Sequence, residues 1–368
     1  MTSPSTQAVT SPVLPGLREL PGRGRQMPAL HGLRTLAIIP VLAIHMGYMP
    51  GGFLGVTVFF ALSGFLITSL LLDERVRTGK IALRAFYIRR LARLYPALII
   101  ALLASAGGAL LTGEGWGDIG LMFFVSVLYL ANIFGTFANT WLPFANHTWT
   151  LAQEEQFYLV APKLIESMNL SKTATWGKRL IVIALGLGVL RLAAIMTFPS
   201  WYISIYENPI FNLDAMLAGV GLAFLVASQQ VPAWFGRLSA SGWAMIAAAL
   251  AVTVTAFAAR LTDWTLAGAT TLTMIATIVA LMHITKRPND HASGVLSHPV
   301  AVWVGERSYG IYLYHVGILQ AFEKAPFPNS WWGHILQDVG FVAATLIVAA
   351  FSYRFIEGPI REWARKKG

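Results

Sequence analysis

Long apolar runs, separated by short polar or basic stretches, follow one another along nearly the whole chain. Eleven can be drawn, at roughly 31–49, 53–72, 95–112, 119–138, 148–166, 180–198, 211–228, 240–259, 264–284, 309–322 and 335–355. Most approach the ~20 residues a helix needs to cross a bilayer. The pattern predicts an all-α integral membrane protein, with the lipid bilayer as its solvent and first partner.

Composition strengthens this picture. Of the 368 residues 56% are hydrophobic and only 12% charged, against about 25% charged in a typical soluble domain. Mean hydropathy is +0.61. The net charge of +10 is carried by short basic clusters between apolar runs, where the positive-inside rule places them, so it reports orientation and predicts no nucleic-acid partner. Absence of cysteine removes disulfides, thiolate nucleophiles and thiolate metal sites.

Residues 1–26 are rich in Ser, Pro, Gly and Arg and lack the apolar core of a signal peptide, which predicts a disordered cytoplasmic tail. Residues 27–360 read as one membrane domain and 361–368 as a basic cytoplasmic tail.

Basic residues flank the first and last apolar runs, which places both termini in the cytoplasm and requires an even number of spans. The basic stretches 73–93 and 163–179 both belong on the cytoplasmic side, yet three apolar runs lie between them. One of the three must fail to cross. The stretch 143–166, with Asn146, His147, Gln153, Glu154, Glu155 and Gln156, carries a polar load suited to a re-entrant or cavity-lining segment. About ten transmembrane helices plus one partial or re-entrant segment result.

An ionisable side chain at the centre of a span costs about 2.5–3.5 kcal/mol on insertion scales, so each needs a partner or a role. Arg34 and His45 lie eleven residues apart in GLRTLAIIPVLAIH. On an α-helix that spacing puts them on nearly the same face and ~16 Å apart along the axis. Arg34 is expected near the cytoplasmic mouth and His45 deep in the bilayer, buried and neutral. The bland alternative makes Arg34 a snorkelling anchor and His45 a helix–helix hydrogen bond.

In FYIRRLARLYPAL, Arg90 and Arg93 share a helical face, and forked guanidiniums suit phosphates, although lipid-headgroup anchoring uses the same charges. In HTWTLAQEEQFYL, Glu154 and Glu155 are consecutive, ~100° apart on a helix, so only one is expected to face a given partner. In ERSYGIYLYHVGI, Tyr309, Tyr312 and His315 recur every three residues along one face, open to packing or to substrate binding. Arg191, Asp214, His283 and Glu357 read first as structural ion pairs. Trp141, Trp149, Trp331 and Trp332 fit sugar stacking or a membrane-interface belt, the belt being favoured. No phosphate-binding loop, nucleophile elbow or metal motif is present, and no metal is expected.

Taken in order, the Arg34–His45 spacing, VFFALSGFLIT, RRLARLYPAL, WTLAQEEQFYL, SYGIYLYH and the closing YRFIEGPIR resemble acyltransferase family 3, the integral-membrane O-acyltransferases, over about residues 27–360. The resemblance implies a ten-span fold and transfer of an acyl group, usually acetyl, from cytoplasmic acyl-coenzyme A to a hydroxyl. It makes Arg34 and His45 essential, with the arginines of RRLAR supporting donor binding. Asn212 stands where the family often has Arg before Asp, which removes an acceptor contact expected there. The chain stops soon after the closing motif, which predicts a stand-alone form without the extracytoplasmic domain some members carry.

The expected mechanism holds coenzyme A phosphates at Arg90 and Arg93, runs the pantetheine arm past Arg34, and uses His45 as general base on the acceptor hydroxyl, with Tyr309, Tyr312 and His315 on the substrate. Glu154 or Glu155 either supports the imidazole or neutralises a buried arginine, and the sequence does not choose between the two. A covalent acyl-histidine stays open beside it. The acceptor class is a saccharide or macrolide-type metabolite, and the site of action a bacterial-type inner membrane. The oligomeric state is not legible. A secondary transporter using the same intramembrane His, Arg and Glu residues is the rival from another class.

Overall fold

The computed structural model describes residues 14–22, 25–111 and 113–367, and these are all-helical apart from one isolated bridge. The first half contains α1 (Pro28–His45), α2 (Leu54–Thr78), α3 (Leu83–Leu111), α4 (Trp116–Val127), α5 (Ala131–Ala138), α6 (Thr148–Ser167), α7 (Thr173–Thr197) and α8 (Tyr202–Tyr206). The second contains α9 (Leu213–Ala227), α10 (Ala233–Ser239), α11 (Gly242–Ala258), α12 (Thr265–Lys286), α13 (His291–Leu296), α14 (Pro299–Glu323), α15 (Trp331–Ser352) and α16 (Gly358–Lys367).

Among the described residues, six helices are long and apolar enough to cross a membrane, or seven if the bent pair α10–α11 is one span. The chain is therefore a multi-pass membrane protein. The expected ten is not reached by that criterion, because α9 is only 15 residues long and α4 only 12, while α14 spends its length on polar side chains. Exposed Leu, Val, Phe and Trp cover the outside of α7, α11 and α15, the inverse of a soluble bundle and the pattern lipid requires.

Helices approach closely where small residues allow it. A Cβ on Gly64 of α2 would lie 2.0 Å from the Met216 carbonyl of α9, and one on Gly219 of α9 2.1 Å from the Ala61 carbonyl of α2. These reciprocal glycines bring the two backbones together where lipid supplies no hydrophobic drive between helices. Arg191 of α7 and Asp214 of α9 pair at 2.6 Å, both buried, the structural ion pair expected from sequence.

Two boundaries differ from the sequence reading. Residues 14–22, placed in a disordered tail, include Leu14 and Leu20 at 2% exposure each, and Gly16 N–H donates to the Ala227 carbonyl at the end of α9 (2.8 Å). Their apolar side chains are buried beneath the bundle. Residues 1–13, 23 and 24 lie outside the described residues. At the other end, the basic stretch from 361 continues α16, which packs on α3.

The break in the 95–166 region also falls elsewhere. From Thr148 on, the polar stretch forms one continuous helix, α6, and the apolar run 119–138 is the one that splits, into α4 and α5, at Tyr129 with φ +55°. The two facts are linked. Gln156 of α6 donates to the Tyr129 carbonyl and to Asn132 Oδ1, both at 2.9 Å, and Gln153 donates to the Pro209 carbonyl at 3.0 Å. The polar face of α6 thus satisfies backbone that the broken helix leaves open, which a hydropathy window does not register.

Candidate functional site

Three helices, α1, α6 and α14, place their polar residues in successive levels along one line. At the first level Arg34 Nε donates to Ser308 Oγ (3.0 Å) and the Gly305 carbonyl (3.3 Å) of α14, and its guanidinium lies 5.3 Å from the Phe59 ring. Gly305 permits this: a Cβ there would lie 1.9 Å from the His31 carbonyl of α1. Glu154 accepts from Ser63 Oγ of α2 at 2.5 Å.

The middle level is tight. Arg34, Phe60, Thr150, Glu154, Tyr309 and Tyr312 line a pocket of about 40 Å³. Tyr309 OH donates to the Leu94 carbonyl (2.8 Å), and Tyr312 OH to the His147 carbonyl (3.0 Å) while accepting from Thr150 (2.9 Å). Both phenols are committed to protein partners, so what they offer a ligand is a rigid aromatic wall.

The third level contains His45, His147 and His315. Ring centroids stand 4.8 Å apart for His45 and His315 and 5.5 Å for His147 and His315, both edge-on. His147 and His315 are buried, whereas His45 is exposed. The expectation of a deeply buried His45 is corrected: it is the last residue of α1, followed at Gly47 by a turn with φ +81°. The helix ends there, so one side of the ring is left open.

At the opposite end, a cavity of about 630 Å³ between α2 and α3 is lined by Arg77, Arg89, Arg90 and Arg93, with Asp73 and Glu74. Its four guanidiniums differ in commitment. Arg77 pairs with Asp73 (3.2 Å) and Arg89 reaches Glu74 (4.0 Å). Arg90 pairs with Glu155 at 2.9 Å, reaches Glu154 at 3.9 Å and lies 3.3 Å from the Tyr158 ring centre. Consecutive glutamates were expected to face different ways, but one long guanidinium bridges both.

Arg93 Nε is buried without a hydrogen-bond partner among the described residues. Glu357, in the π-helical turn Tyr353–Glu357, is the carboxylate that acts on it at longer range. Of the two arginines singled out by spacing, Arg93 is the one with donors to spare.

The structure thus brings Arg34, Glu154, Tyr309 and Tyr312 together, and His45 with His315. It places Glu154 and Glu155 with Arg90, at the level of Arg34 and away from the His45 end. His147 was not among the predicted site residues. Its only signal is position, about one turn of helix before Thr150 and two before Glu154, and the fold alone shows that the start of α6, which it caps, lies at the level of His45.

Beside Tyr206 and Trp149, whose rings are 4.8 Å apart, lies one further carboxyl, Glu207, fully buried outside the spans. Burial pushes it up to about 9, with the Asn146 side chain working the other way. A carboxyl neutral in the fold and ionised in the unfolded chain favours folding most below its ordinary 4.5. That advantage is lost as pH rises through about 9. Glu207→Gln is expected to flatten the decline of Tm across this range, which thermal unfolding in detergent at stepped pH would measure.

The acyltransferase-domain model of acyltransferase family 3 matches residues 27–354. The chain belongs to that family. It is 32% identical over 359 residues to the peptidoglycan O-acetyltransferase OatA of Listeria monocytogenes, covering 92% of this chain and 56% of that protein. It is 30% identical over 361 residues to the O-acetyltransferase OatA of Staphylococcus aureus, covering 92% and 58%. The chain therefore spans little more than half the length of these curated relatives. No solved structure matches it.

Proposed function

We propose that this acyltransferase moves an acetyl group from acetyl-coenzyme A to a hydroxyl of a saccharide acceptor, with the donor entering at the arginine-lined cavity and the acceptor at the His45 end. The observation that carries the reading is the alignment of three levels on α1, α6 and α14: guanidinium and carboxylate, narrow aromatic pocket, imidazole. An open basic cavity lies at one end and an exposed imidazole at the other. The eleven residues from Arg34 to His45 span ~16 Å, a length that suits an extended donor arm better than a compact substrate.

Donor phosphates sit on Arg93, with Arg89 at the rim, and Arg90 with its two glutamates forms the wall between the cavity and the pocket. The reactive thioester reaches the His45 level. His45 takes the acceptor proton as the hydroxyl oxygen attacks the acyl carbon, the carbon–sulfur bond breaks, and the proton passes to the leaving thiolate. A saccharide is favoured over a macrolide because both named relatives are O-acetyltransferases and one is named for peptidoglycan. The cavity end faces the cytoplasm of a bacterial-type inner membrane, with both termini on that side. With α9, α14 and the α4–α6 group inserted, the spans number about ten.

Arg93→Ala tests the donor site. A lost charge-assisted hydrogen bond is worth about 1.5–3 kcal/mol, so KM for acetyl-coenzyme A is expected to rise about 10–100-fold with kcat little changed. An unchanged KM in a folded variant removes the phosphates from this cavity.

A further inference from the structure

Two of the three imidazoles at the His45 end have tautomers fixed by backbone. His315 Nδ1 lies 2.6 Å from the Tyr312 carbonyl, and His147 Nε2 lies 3.1 Å from the Leu313 carbonyl. A carbonyl only accepts, so both of these nitrogens carry the hydrogen. The remaining nitrogens, His315 Nε2 and His147 Nδ1, are therefore lone-pair acceptors, and both are buried without a partner among the described residues. An unfilled buried acceptor has lost its water without gaining a partner, which destabilises the fold. Two of them in one cluster point to a donor that completes it.

Of the two imidazoles edge-on to His315, His45 is the nearer, at 4.8 Å between centroids and 63° between planes. Among the described residues His45 has no hydrogen bond to backbone that would choose its tautomer, and it is exposed. We propose that His315 is the positioning residue of the reaction: the neighbouring His45 ring, in edge contact but not hydrogen-bonded to it in this structure, rotates to donate the hydrogen of one ring nitrogen to His315 Nε2, which turns its other nitrogen, lone pair outward, to the acceptor hydroxyl.

The sequence assigns His315 to the substrate, but its burial and its backbone bond direct it at His45 instead. His315 changes no bond order and ends the cycle with the protons it began with. When His45 takes the hydroxyl proton, the resulting imidazolium keeps its donation to His315. The acyl–oxygen bond forms, the carbon–sulfur bond breaks, and His45 returns the proton to the thiolate. The role taken by a buried carboxylate in a serine-hydrolase triad falls here to a neutral imidazole held by main chain. His147 Nδ1 stands next in line, beyond His315.

The inference rests on the acyltransferase reading with His45 as base, and the test separates the two. Full-length wild type, His45→Ala, His315→Gln and His315→Asn are purified in detergent and assayed for thiol release from acetyl-coenzyme A with chitotetraose. Melting temperature is recorded for each. Gln places an acceptor oxygen near the Nε2 position, whereas Asn can replace only the Nδ1 donation to Tyr312. His315→Gln is expected to keep kcat within about tenfold of wild type, and His315→Asn to lose on the order of 10²-fold in kcat at unchanged KM for acetyl-coenzyme A. Equal losses in two folded variants, or full activity in His315→Asn, would overturn the positioning role while leaving the reading intact. Activity surviving in His45→Ala would overturn both.

Discussion

His45→Ala is expected to lower kcat/KM for acceptor-dependent release of coenzyme A by about 10²–10⁴-fold, the usual contribution of a positioned general base. The variant should fold normally. His45 is the exposed last residue of α1, so truncation opens no large cavity and leaves only the His315 Nε2 acceptor unfilled, a cost of about 1–3 kcal/mol. The loss belongs in kcat, because the proposed donor-phosphate site at Arg93 is at the far end of the line. Steady-state kinetics with acetyl-coenzyme A varied at fixed acceptor checks this: a raised KM with kcat retained would make His45 a binding residue.

Arg90→Ala is the second large effect, and it is one of stability. The guanidinium holds Glu155 at 2.9 Å and Glu154 at 3.9 Å and stacks on Tyr158. Its removal leaves two neighbouring half-buried carboxylates uncompensated, a loss of about 3–5 kcal/mol for a broken buried pair. Expression, monodispersity and Tm in detergent should all fall. Arg93→Ala, three residues away on the same helix, should keep Tm and lose donor affinity. Identical behaviour of the two variants would contradict the division of labour drawn between them.

That division shows where sequence is informative and where it stops. Spacing placed Arg34 and His45 on one face of α1 and Tyr309, Tyr312 and His315 on one face of α14, because an unbroken helix carries its own ruler. Which of two arginines is free depends on α6 lying beside α3, a contact between segments far apart in the chain. The same contact explains the glutamates: the ~100° between consecutive residues is outweighed by the reach of an arginine side chain. His45 was expected to be buried because hydropathy ran on to residue 49. The helix ends at 45 and leaves the ring exposed on one side of the bundle.

The break at Tyr129 was displaced for a related reason. A window average marks the most polar stretch as the weak one, yet the glutamines of α6 find partners to serve: Gln156 the Tyr129 carbonyl and the Asn132 side chain of the broken run, and Gln153 the Pro209 carbonyl. The family was legible because six short motifs stand in order. Their assembly into levels required the fold.

The central claim is group transfer from a thioester to a hydroxyl, and one measurement reaches it directly. Purified wild type is incubated with acetyl-coenzyme A and chitooligosaccharides or peptidoglycan fragments, and free thiol and acceptor mass are followed together. The account predicts one equivalent of thiol for each acetyl ester gained by the acceptor. No ester on any acceptor, together with donor-independent solute uptake by sealed vesicles containing the protein, would contradict it and favour a transporter.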